Sequence, residues 1–183
     1  MGAVGVRRAA AGLLVLAAAS GCGGRHPPAA PAAPSQSAAV DGRARAAHIL
    51  ASLPGLAPVT GRNDRLGPVT LWQAWFAGPE LRLIEARPAG RAAAEPNRYY
   101  FERGEFFYYA GEQPATVAGG DSGAAPRASV VVEFRDGQVL RAVRLEHYGE
   151  VRLEPEESAA IRARAAELAS AARDERSAAA LRR

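Results

Sequence analysis

At three places this chain turns back on itself within one to three residues, and strand-like runs flank each place. That pattern restricts the fold more than anything else in the sequence. The clearest turn is Asp136-Gly137, a pair suited to the positive φ angles of a type I′ turn, set between the runs 128–135 and 138–147. Gly104 closes two aromatic-rich runs, 98–103 and 105–110, and Gly78-Pro79-Glu80 joins 69–77 to 81–87. About six strands follow, mostly antiparallel and in hairpin order, and consecutive hairpins favour a meander.

Helical spacing brackets these strands. Asp41 is a good N-cap; Ala46, Ile49, Leu50 and Leu53 then fall on one face, and Pro54-Gly55 stops the run, which predicts a short N-terminal helix over 41–53. Pro155 with Glu156 and Glu157 opens a longer C-terminal helix in which Ile161, Ala165, Leu168 and Ala172 recur. Beyond Arg173 there is little to bury, so 174–183 is expected to fray. The expected fold is α+β, a single domain over 41–173, and no repeat of solenoid length stands out.

Composition narrows the partners. Hydrophobic residues make up 48% of the chain, but so many are Ala that the core must rest on the fewer large side chains. All 23 basic residues are Arg. Once Arg7 and Arg8 are set aside, 21 of them face 19 acidic residues, which is no nucleic-acid signature. An excess of Ala, Arg, Gly and Pro without Lys reflects coding bias more than chosen phosphate ligands. Cys22 is the single cysteine, so neither an intramolecular disulfide nor a Cys-based metal cluster can form.

That cysteine sits at a junction. Arg7 and Arg8 precede an apolar run from Ala9 to Ala19, about half the length needed to cross a hydrocarbon core of roughly 30 Å, and Ser20-Gly21 follow. Ala19-Ser20-Gly21-Cys22 resembles the lipobox of bacterial lipoproteins, with Ala19 where Leu is most usual. The resemblance implies a signal peptide over 1–21, diacylation of the Cys22 thiol, and acylation of the new amine at Cys22. The chain would then be exported and lipid-anchored. In a Gram-negative host, Gly23 resembles the pattern that sorts such proteins to the outer membrane, facing the periplasm. Residues 23–40, with Pro27, Pro28, Pro31 and Pro34 among Ala, Gly and Ser, read as a tether.

Chemistry is harder to find. Gly120-Asp121-Ser122-Gly123 and Ala46-Ala47-His48 resemble the nucleophile and histidine motifs of chymotrypsin-like proteases. That family needs two β-barrels, His48 falls in a helix, and Ala124 replaces the motif's next Gly, so a flexible loop is the better reading. His147 beside Glu146 has no second His or Cys at ligand spacing, and no metal or cofactor is expected. Glu102, Glu105, Glu133 and Glu146 lie on strands, where a converging pair would suit acid-base work; charged cross-strand pairs are the commoner explanation. No catalytic residue is assigned.

The aromatic hairpin carries more weight. Tyr99, Tyr100, Phe101, Phe106, Phe107, Tyr108 and Tyr109 occupy both of its faces, because successive strand side chains alternate. One face can pack under a helix; the other needs a second cover or a ligand. The leading expectation is a non-enzymatic envelope protein, held to a membrane through Cys22, that binds an envelope protein or cell-wall partner through these residues. Two alternatives stand beside it: an inhibitor of a lysozyme-like or proteolytic enzyme acting through the loop 111–127, and a hydrolase using His147 or a carboxylate pair.

Overall fold

The structure, a computed structural model, describes residues 36–65, 68–91, 94–114, 127–146 and 149–182. The expected signal peptide, Cys22, the tether up to residue 35, the Gly120-Asp121-Ser122-Gly123 loop and His147 lie outside the described residues.

One mostly antiparallel sheet dominates, as the turn signals imply. Its strands are β1 (Val59–Asn63), β2 (Thr70–Ala77), β3 (Glu80–Pro88), β4 (Asn97–Glu102), β5 (Glu105–Pro114), β6 (Arg127–Arg135), β7 (Gln138–Glu146) and β8 (Gly149–Arg152), and each pairs only with its sequence neighbours. The helix α1 (Gln36–Ser52) precedes the sheet and the longer α2 (Pro155–Leu181) follows it. The α+β class therefore holds, but the strand count is corrected from about six to eight among the described residues. The two additional strands are the sheet's edges, β1 and β8. All four residues of β8 are exposed, so nothing apolar announces it. β1 is interrupted by Gly61, which pairs with Trp72; the indole fills the space a β-carbon at 61 would need. α1 begins within the segment read as tether, and α2 runs unbroken through the segment expected to fray, where Arg182 pairs with Glu175 at 2.5 Å.

Three of the hairpins are variations on one plan. Phe76, Phe101 and Phe134 each stand two positions before a two-residue turn, and the turn is followed by Glu80, Glu105 or Gln138. The turns use Gly78 (φ 56°), Arg103-Gly104 (53°, 85°) and Asp136-Gly137 (50°, 72°), the left-handed values that match the twist of a tight hairpin. In each, the register slips at the third residue after the turn, leaving Arg82, Phe107 or Leu140 as an extra bulge residue. All three bulges thus lie at the same end of the sheet, where each adds local twist.

Each sheet face has its own helix. Under α2, Trp72, Ile84, Tyr99, Tyr109, Val130 and Val132 meet Ile161, Ala165, Leu168 and Ala172, the helical stripe read from the sequence. Under α1 the core is smaller: Ala46 and Ile49 pack on Leu83, Tyr100, Phe107 and Tyr108. Leu50, expected on the packed face of α1, is exposed.

Candidate functional site

The seven aromatic residues expected to face a partner are packing residues. Tyr99, Phe101 and Tyr109 are buried beneath α2, and Phe106, half-buried, closes on Phe134 with ring centroids 5.0 Å apart. Tyr100 and Tyr108 contact each other edge-on at 5.6 Å beneath α1, with Phe107 beside them. The bulge explains why Phe107 and Tyr108, adjacent in sequence, both turn toward α1. Burial pushes the phenols of Tyr99 and Tyr100 up to about 12 and raises those of Tyr108 and Tyr109 as well.

The sheet surface left open lies on the α1 side, in the rows that this helix does not reach. Cross-strand register aligns Thr60, Gln73 and Glu85 in one such row and Arg62, Leu71 and Arg87 in the next. These six residues line a groove of about 590 Å³, within the range of small-ligand and peptide clefts. Leu71 is 46% exposed and Leu145, on the same face at the far side of the sheet, 42%. Glu85 is held by Arg98 at 2.9 Å, whereas Arg62 makes no ion pair among the described residues. A groove with Leu71 and Gln73 on its floor and guanidinium groups at its border suits recognition of a chain segment.

A second cleft, of about 280 Å³, lies on the other face, between α2 and β4–β5. Asn97 organises it: its Oδ1 accepts from the Tyr109 hydroxyl at 3.0 Å and from the Glu112 backbone N–H at 3.1 Å. Arg164, on α2, reaches Glu167 at 3.0 Å and the Thr70 hydroxyl at 2.6 Å, and Asn63 donates to the same Glu167 at 2.9 Å. These polar groups satisfy one another, so the cleft reads as the hydrogen-bonded rim of the larger core.

The carboxylates do not converge on an acid-base pair. Glu102 pairs with Arg45 of α1, Glu105 is exposed beside the β4–β5 turn, and Glu146 is exposed at the opposite end of the sheet. Glu133 is 2% exposed beneath α1, and among the described residues neither of its oxygens has a hydrogen-bond partner. Burial raises its pKa; Arg141 and Arg135 oppose the rise and Asp41 adds to it. His48 is exposed on α1. Among the described residues no group of three or more His, Cys, Asp or Glu side chains could hold a metal ion, and no helix is long and apolar enough to cross a membrane.

Sequence reasoning missed the groove because half of its border, Thr60 and Arg62, sits on the unforeseen strand β1. A signal was present in β2: alternation puts Trp72, Ala74 and Phe76 on one face, which leaves Leu71 and Gln73 on the other with little to cover them. Comparison of the chain with protein-family models, curated proteins and solved structures returns no match.

Proposed function

We propose that this chain is a lipid-anchored envelope protein that binds a partner without catalysing a reaction, and that the partner lies along the open rows of the sheet on the α1 side. The observation that carries this reading is the groove floored by Leu71 and Gln73 and bordered by Arg62 and Arg87, on a domain whose aromatic residues are taken up by packing. Support for the anchor comes from the order Ala19-Ser20-Gly21-Cys22 after an apolar run too short to span a bilayer.

A photo-crosslinking residue placed at Gln73 in cells tests the surface. It should give one discrete adduct that Leu71→Asp and Leu145→Asp abolish and that Ala166→Asp, on the exposed side of α2, leaves intact. An adduct indifferent to Leu71→Asp would remove the groove from the reading. Cys22→Ser tests the anchor separately: the chain should leave the membrane fraction.

A further inference from the structure

Glu133 stands out because a carboxylate this deeply buried ordinarily has an opposite charge or several donors around it. Here the surrounding cations are engaged elsewhere: Arg141 (β7) pairs with Glu150 (β8), Arg135 on Glu133's own strand with Asp41 at 3.7 Å, and Arg45 (α1) with Glu102. The other groups facing Glu133 are Tyr108, its register partner on β5, and Asp41 on α1; Arg43 of α1 acts on Tyr108. What buries the carboxylate is α1 itself. Gly42 lies so close that a β-carbon there would stand 3.1 Å from both the Glu133 carboxyl carbon and Oε2. The helix has little else to hold it: two fully buried apolar residues, Ala46 and Ile49, the Asp41–Arg135 and Arg45–Glu102 pairs, and Arg45 stacked 4.2 Å over the Phe107 ring. Its outer ion pairs are partly exposed, and such pairs contribute little.

We propose that α1 is a releasable cover, seated while Glu133 is protonated and loosened when Glu133 ionises, so that a rise in pH opens Leu83, Tyr100, Phe107 and Tyr108 as a continuation of the open rows. The opened surface matters for a partner only if the binding role proposed above holds; the release of α1 stands on the burial of Glu133 alone. The sign follows from linkage. The seated helix raises the pKa of Glu133 above its ordinary 4.5, so seating is fully supported below that value, weakens as pH climbs through the raised one, and is constant beyond it. Inside the window one proton is coupled to release, which allows up to about a tenfold change in the seated-to-released ratio per pH unit.

Hydrogen–deuterium exchange of the full chain, without any partner and corrected at each pH for intrinsic exchange, reads this directly. Protection of the α1 amides over 43–52 should fall as pH is raised from below the ordinary carboxyl value through the raised one, while that of β3 to β6 stays constant. In Glu133→Gln the α1 protection should stay high and flat. A Glu133→Gln chain that follows the parent profile, or a sheet that loses protection in step with α1, would overturn the proposal. Because no partner is present, the result is independent of whether the groove binds one.

Discussion

Gly61 and Trp72 show how one small residue sets the place of a large one. The indole lies across β1 where any side chain at 61 would be, so the largest apolar residue in this part of the α2 core depends on the absence of a methyl group one strand away. Gly61→Ala should therefore destabilise the protein by roughly 1–3 kcal/mol through overpacking, read as a lower denaturation midpoint with an unchanged slope. The same substitution in a Trp72→Ala background should cost far less, because the collision is gone; equal costs in both backgrounds would disprove the coupling. Asn97 is a different kind of dependence. Its Oδ1 satisfies the Tyr109 hydroxyl and the Glu112 N–H together. Asn97→Ala leaves both without that acceptor and should cost about 2–3 kcal/mol, whereas Tyr109→Phe removes one donor and should cost about 1 kcal/mol.

Among the elements, α1 and α2 divide the work unequally. α2 places Ile161, Ala165, Leu168, Ala169 and Ala172 in the main core, so Leu168→Ala should cost about 2.7–5 kcal/mol in equilibrium unfolding, while Leu181→Ala, at an exposed position, should cost almost nothing. This helix was legible in the sequence because a stripe at helical spacing has no other use. The hairpins were legible because Asp136-Gly137 and Gly104 answer a steric demand that few other residues meet. The edge strands were not, because β8 offers no apolar alternation and the glycine in β1 is explained only by a ring contributed from β2. The fate of the aromatic hairpin was also hidden. Alternation correctly put Tyr99 and Phe101 on one side and Tyr100 on the other, but whether the second side was open depended on α1, a helix whose buried apolar residues are Ala46 and Ile49.

At the level of the whole molecule, four of the five tyrosines lie in the two cores. Each of these phenols is raised by burial, Tyr99 and Tyr100 to about 12, so the folded state holds their protons more tightly than the unfolded state does. Stability is then intact below pH 10, the ordinary phenol value, and is lost as pH climbs from there toward about 12. Absorbance at 295 nm should show these four tyrosines ionising together with loss of structure, above the pH at which free tyrosine titrates. A gradual titration centred at pH 10 with the fold intact would contradict the burial described here.

Because every strand pairs with the one made just before it, the sheet can assemble in the order in which a ribosome delivers it. The cover of the larger face is delivered after the sheet: Leu168 and Ala172 follow β8 by more than a dozen residues. A nascent or prematurely terminated chain therefore displays Trp72, Tyr99, Tyr109 and Val132 to whatever chaperones and proteases are at hand, and completing α2 is what withdraws them. The larger face thus stays open until the whole sheet behind it has been made.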